Sequence, residues 1–234
     1  MCRKLFNITE ESMYGLVESM PNSVHIKTVQ NGEYVATNKH NLYTYGFTKE
    51  SELLGLTFDD LNEFMLPYWG TAFIEAIKQF DEKIKHSGKV EVLENLVFRD
   101  KNNFIRCQDL HKIPIFQKNT EKPSLIFTMT VEYTDKISQI ELYEKYKKMN
   151  QNKSDSITYF MKYLNIQRFF YDHLTEKELL CLLSARHTKG HKYIARDLNI
   201  NIKTVETHLG NITAKLKNTT LANVVSILRK QTNE

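Results

Sequence analysis

Two rhythms of apolar and polar positions divide the chain. Over residues 23–135 short alternating runs prevail, as half-buried strands require. Val24, His25, Ile26 and Lys27 alternate, and Asn31-Gly32 makes a hairpin turn into Tyr34, Val35 and Ala36. Further strand-like runs cover 90–98, 104–116 and 125–133. Asp100-Lys101-Asn102-Asn103 turns between the first two, and a polar connection containing Pro123 precedes the third. Between the hairpin and these runs the period lengthens. Residues 38–45 predict a short helix stopped by Gly46. Thr48 is placed to cap a second short helix closed by Gly55. Phe73, Ile74, Ile77, Phe80 and Ile84 mark a longer helix over 71–85.

Beyond residue 135 the pattern turns helical. Residues 136–150 carry Ile137, Ile140, Leu142, Tyr143, Tyr146 and Met149 in a broken heptad phase. Residues 151–156 read as a polar hinge, and 157–171 as an amphipathic, aromatic-rich stretch. Such a stretch either pairs with a second copy, burying residues such as Ile140, Phe160 and Leu164, or folds back on the preceding domain. The remaining residues predict four helices, near 176–186, 190–198, 202–217 and 221–230. The expected fold class is α+β. An antiparallel sheet with helices occupies 1–135, a helical linker 136–171, and an all-α four-helix domain 172–234.

The second and third of these helices have the requirements of a helix-turn-helix. Ala195 is a small residue where two helices must approach closely. Asn199 stands where the turn wants a left-handed backbone, and Asn tolerates it next best after Gly. Ile194, Leu198, Ile200 and Val205 bracket the turn, and Asn201 is placed to cap the next helix. Ile202, Val205, Leu209, Ile212 and Leu216 recur at helical spacing and should be buried. Lys203, Thr204, Glu206, Thr207, Gly210, Asn211, Thr213 and Lys215 then face outward, a polar face of the width that enters a major groove.

Composition narrows the classes. Hydrophobic residues make up 41% and charged residues 26%, ordinary for a globular protein. No apolar run approaches the roughly 18 residues a membrane helix needs. The start lacks the apolar stretch of a signal peptide, so the expected location is the cytoplasm, with no membrane partner. Cys2, Cys107 and Cys181 are far apart and show neither a CxxC pair nor zinc spacing. They are read as reduced core fillers. Residues 170–234 hold 10 Lys and Arg against 6 Asp and Glu, so they carry the whole net charge of +4. That excess lies where a phosphate backbone would attract it.

The C-terminal segment resembles a LuxR-type DNA-binding domain. The residues that carry the likeness are Leu174-Thr175-Glu176-Lys177-Glu178, Ile194-Ala195-Arg196-Asp197-Leu198, Lys203-Thr204-Val205-Glu206-Thr207-His208, Ile212 and Lys215-Leu216. The resemblance implies phosphate contact by Thr204 and Lys215, and base-edge approach by Glu206, Thr207 and Asn211. Lys192 and Lys203 complete the expected DNA-binding set. The chain departs from the family in having Asn201 for a frequent serine cap, Glu206 where Arg or Lys is common, and Gly210 at a frequent contact position. His208 is read as packing beside the joint. The last helix, with Leu221, Val224, Val225 and Leu228, pairs two copies in relatives of this type.

Residues 21–135 resemble a PAS sensor domain, on Asn38, Gly46-Phe47-Thr48-Lys49-Glu50, Leu53-Leu54-Gly55, Pro114 and Thr134-Asp135. Asp100-Lys101-Asn102-Asn103 replaces the usual Asp-Gly turn. The resemblance implies an antiparallel sheet with helices over one face and a cavity between them, filled either by side chains or by a small molecule. Flavin-binding versions carry a cysteine that 57–62 lacks, and the helix over 71–85 has no haem histidine. No cofactor and no metal are expected, and His25 and His40 are read as surface or packing residues. A phospho-receiver would need another strand order. An acyl-homoserine-lactone sensor would need a constellation absent here, since Trp69 is the only tryptophan. Nothing resembles a nucleophile-base pair or a phosphate loop, so an enzyme is not expected. The sequence thus points to a transcription regulator. Its expected partners are double-stranded DNA, a second copy of itself and RNA polymerase, with a small molecule as candidate occupant of the cavity. The competing expectation is a protein-interaction adaptor.

Overall fold

In the computed structural model, residues 9–118, 120–187 and 190–230 are described, and the chain divides into two compact units, Met1–Tyr133 and Thr134–Glu234. Cys2 lies outside the described residues, while Cys107 and Cys181 are buried free thiols.

The first unit is built on five antiparallel strands: β1 (Ser23–Thr28), β2 (Tyr34–Thr37), β3 (Glu91–Arg99), β4 (Ile105–Phe116) and β5 (Pro123–Glu132). Their order in the sheet is β2-β1-β5-β4-β3. Alternation sends the two sets of side chains to opposite faces. Val24, Ile26 and Phe127 pack with Ala36 under helix α1 (Glu10–Ser19), through its Met13 and Val17. His25, Lys27, Leu110, Lys112 and Thr128 point to the other face, where helices α2 (Lys39–Tyr45) and α3 (Phe58–Ser87) lie. The unit is α+β, an antiparallel sheet with helices, with one difference from expectation. Helices cover parts of both faces, because α1 packs on the second.

Local chemistry explains the joints. Asn38 is buried and caps α2, accepting from Asn41 N–H and from Val24 N–H, while its amide donates to the carbonyls of Met20 and Asn22. Gly46 ends α2 in the left-handed conformation at φ 73°. Thr48 is not the cap of the next turn, which runs Glu50–Glu52 after Lys49; its N–H and hydroxyl donate to Glu52 instead. Asn103, at φ 64°, supplies the left-handed residue that the 100–103 turn would otherwise take from Gly. Helix α3 is longer than the expected 71–85. It starts at a Thr57–Asp60 capping box and breaks at Gly70, where φ 73° and ψ 161° leave the helical region.

The second unit contains α4 (Gln139–Met149), α5 (Lys153–Tyr163), α6 (Glu176–His187), α7 (His191–Asp197), α8 (Ile202–Ala214) and α9 (Leu221–Lys230). Residues 136–171 do not form a free-standing linker. The rings of Tyr143 and Tyr146 each lie 5.3 Å from that of Phe160, and all three residues are fully buried between α4 and α5. Leu164 is buried with them, whereas Ile140 remains exposed. Both helices pack against α6, and Lys147 reaches Glu176 at 2.8 Å. The chain from 167 to 171 is tied to the end of α8, since Lys217 N–H donates to Phe169 O and Tyr171 N–H to Lys215 O. The polar hinge expected over 151–156 is mostly helix, with Asn152 as its cap. No helix among the described residues is long and apolar enough to cross a membrane.

Candidate nucleic-acid interface and the cavity of the sheet unit

The α7–α8 joint forms as its residues dictate. Ala195 is buried, Asn199 takes φ 50°, and Ile200 N–H donates to Ala195 O across the turn. Asn201 caps α8, its side-chain oxygen accepting from Lys203 N–H at 2.9 Å. Val205, Leu209, Ile212 and Leu216 are buried as expected. Ile202, the first residue of α8, is not; it is 43% exposed.

On the opposite side of α8, Lys203, Glu206, Thr207, Gly210, Asn211 and Ala214 form one exposed strip. Thr204 is half-buried on its flank. The Thr207 hydroxyl donates to Lys203 O, four residues back, so its oxygen can still accept. Glu206 sits 3.6 Å from His191 on α7. Lys192 is exposed on α7 beside Arg196, whose guanidinium lies 5.5 Å from the Tyr193 ring centre. Two features of this surface had weak sequence signals. His191 and Arg196 were each separated from the α8 set, and only the joint places α7 beside the strip.

Lys215 is placed elsewhere. Its ammonium donates to Glu178 at 2.8 Å and to His173 O at 2.8 Å, and the Glu178 side chain is only 3% exposed. Glu178 also closes a capping box with Thr175 at the start of α6. Burial pushes its carboxyl up, but Lys215 and the Thr175 N–H outweigh this and hold it below its ordinary range. Lys215 therefore binds the end of α8 to α6. The apolar stripe of α9 is also occupied: Val224, Val225 and Leu228 are buried, and α9 packs on α6 of the same unit.

In the first unit a cavity of about 50 Å³ lies between the sheet and α2 and α3. A cross-strand row of His25, Thr128 and Lys112 lies along its sheet side, since Thr128 is opposite both partners. Lys27, Tyr34, Tyr45, Phe58, Trp69 and Gln108 complete much of the wall. His25 is buried, its ring 4.8 Å from that of Tyr34, while His40 is exposed. Asp81 of α3 receives hydrogen bonds from both Lys27 and Lys112. Burial raises the Asp81 carboxyl, yet the two ammoniums bring it down to about 2. Burial lowers the Lys112 ammonium to about 8, with Asp81 opposing. Burial, then Lys27 and Lys112, lower His25 to about 3, so its ring is neutral.

Residues 172–228 match the family described as bacterial regulatory proteins, luxR family. No curated protein matches the chain. Among solved structures, a VqmA–ligand–DNA complex of Vibrio cholera is 18% identical, over 96% of this chain and 88% of that one, with a TM-score of 0.45. The PAS domain of Bordetella pertussis BvgS is 18% identical, over 61% of this chain and 97% of that one, at 0.46. A phage VqmA–DPO complex is 18% identical, over 94% and 86%, at 0.44.

Proposed function

We propose that this chain, whose residues 172–228 form a luxR-family domain, is a sequence-specific DNA-binding transcription regulator controlled by its PAS-like unit. The observation that carries the reading is the exposed strip of α8, held at a helix-turn-helix joint whose small residue, left-handed turn and cap are all in place. In this reading α8 enters the major groove. Glu206, Thr207 and Asn211 meet base edges, with Glu206 able to accept from a cytosine amino group. Lys203, Lys192 and Arg196 meet phosphates from the two sides of the joint, and Thr204 donates its hydroxyl to a phosphate at the flank. Lys215 has no DNA contact and positions α8 instead.

The regulator acts as a homodimer, so that two copies of α8 meet two half-sites about one DNA turn apart. The contact uses surfaces other than the buried stripes of α4, α5 and α9. A small molecule in the cavity of the sheet unit is the signal, the cytoplasm is the site of action, and RNA polymerase is the partner through which transcription responds. The chain has no enzymatic role in this account.

Fluorescence anisotropy with labelled duplex DNA tests the interface. Replacing Lys203 or Lys192 by Ala should weaken binding to every sequence and lower the salt slope by about one unit each. Replacing Glu206 or Asn211 should change which sequence is preferred. Intact, folded protein that binds no duplex at low salt would remove this reading in favour of a protein-interaction adaptor.

A further inference from the structure

The cavity wall of the sheet unit holds more positive charge than it neutralises. Lys27 and Lys112 are 3% and 1% exposed, and their ammoniums share one carboxylate, Asp81. No residue lining the cavity is acidic. His25 beside them is neutral and adds no compensation. Aromatic rings soften the surplus, with Lys27 lying 5.6 Å from the Tyr34 ring centre and 5.5 Å from that of Phe58, and Lys112 5.1 Å from that of Phe80. Rings bring a quadrupole and no charge, so one positive charge stays uncancelled in a dry setting. A purely structural ion pair would need only one of the two lysines.

The same wall carries polar atoms with no partner. They are His25 Nε2, Trp69 Nε1 and Thr128 Oγ1, each buried. Buried polar groups are almost always satisfied, and three orphans around one cavity mark where partners belong. Their kinds are informative. Trp69 Nε1–H can only donate and wants an acceptor. His25 Nδ1 lies 3.3 Å from Asn41 Oδ1, an acceptor, which puts the ring proton on Nδ1 and leaves Nε2 accepting. Thr128 stands between His25 and Lys112 in the cross-strand row and can serve in either sense.

We propose that the cavity binds a small organic anion, its negative group set against Lys27 and Lys112 and a hydroxyl or amino donor set against His25. The proposal rests on the reading of this unit as the sensor and adds the chemical class of the signal. The anion cancels the surplus charge, accepts from Trp69 and Thr128, and supplies the donor that His25 Nε2 lacks. The cavity of about 50 Å³ holds on the order of three or four waters, which suits a hydroxy acid of a few carbons rather than a long acyl chain.

Trp69 is the single tryptophan of the chain and lines the cavity, so its fluorescence reads occupancy directly. Intact protein at fixed chloride is titrated with lactate and acetate, and separately with lactamide and acetamide, their uncharged isosteres. Lactate should give a saturable change, and its amide should bind at least about tenfold more weakly, the equivalent of 1.4 kcal/mol. Lys27→Met and Lys112→Met each leave one ammonium facing Asp81. Each should lose the saturable response while melting no lower than the parent without anion. Acids that leave Trp69 unchanged, amides that match the acids, or Met variants that still respond would each overturn the proposal. If both variants fail to fold, the comparison of acid with amide on the parent protein decides. Duplex binding is measured on the same preparation. Its loss with the anion response intact refutes the regulator reading alone, and the reverse refutes only this proposal.

Discussion

At position 215 an ammonium of the kind that serves a phosphate is bound to a carboxylate inside the protein. Removing one member of a well-buried pair leaves the other without compensation. Lys215→Met should therefore destabilise the helical unit by about 2 kcal/mol, discounted from the fully buried case because Lys215 is partly exposed. It should leave the salt slope of DNA binding unchanged, whereas Lys203→Ala should do the reverse; chemical denaturation and anisotropy separate the two. Charge at Asp81 sets an acid limit on the sheet unit. Its folded carboxyl lies at about 2, below its ordinary 3.8, so its stabilisation is complete above that ordinary value and is lost as pH falls through about 2. Lys112 differs in that its charged form is the one that costs stability. Its folded value of about 8 is below 10.5, so the unfolded chain binds more protons between these values and the anion-free protein gains stability as pH rises through them. Thermal melts of the parent and of Lys112→Met across pH 7 to 11 should show that gain in the parent alone. Asn199 and Asn201 were legible in the sequence because a turn and a cap are decided by neighbours a few residues away. The Lys215–Glu178 and Lys27–Asp81–Lys112 contacts were not, because they join residues that only the tertiary fold brings together.

Among the elements, α8 carries a cost that stability alone does not explain. Gly210 is exposed in its interior, has helical geometry and has nothing within 4 Å of where a Cβ would stand. Alanine there should raise helix stability by about 1 kcal/mol. If the strip faces DNA, a large side chain at this position obstructs it. Gly210→Ala should therefore raise the melting temperature, and Gly210→Glu should remain folded while duplex binding is lost. A Gly210→Glu protein that binds duplex normally would place the interface elsewhere. Asn201→Ala should cost about 1 kcal/mol by loss of the cap. The four C-terminal helices were legible because their apolar spacing is regular and their caps are local. Helix α1 was not, since Met13 and Val17 are its only packed apolar residues on the sheet and the rest of its turns are mixed. The first part of α3 was hidden by Pro67 and Gly70, which read as breakers, and the fold uses Gly70 as a break between two helical segments.

At the scale of the whole molecule, the chain divides into a sheet unit and a helical unit, and residues 136–171 belong to the second. The aromatic positions of 136–171 gave an apolar stripe but no partner, because periodicity shows that a face is buried and not what covers it. Here α4, α5 and α6 cover one another. Leu164→Asp should therefore unfold the helical unit, seen as loss of helical circular dichroism, rather than split a dimer of folded subunits. Ile140→Ser, at an exposed position, should leave the fold intact. Sedimentation then shows whether that face joins two copies. The central claim is that α8 reads DNA sequence. Its most direct test is selection of genomic duplex fragments by the purified intact protein, in parallel with a Glu206→Ala, Asn211→Ala variant of equal helical content. The account predicts that the parent enriches one two-fold symmetric sequence with half-sites about one helical turn apart, and that the variant loses or changes that sequence. Enrichment of no sequence by the folded parent, or of the same sequence by parent and variant, would contradict it.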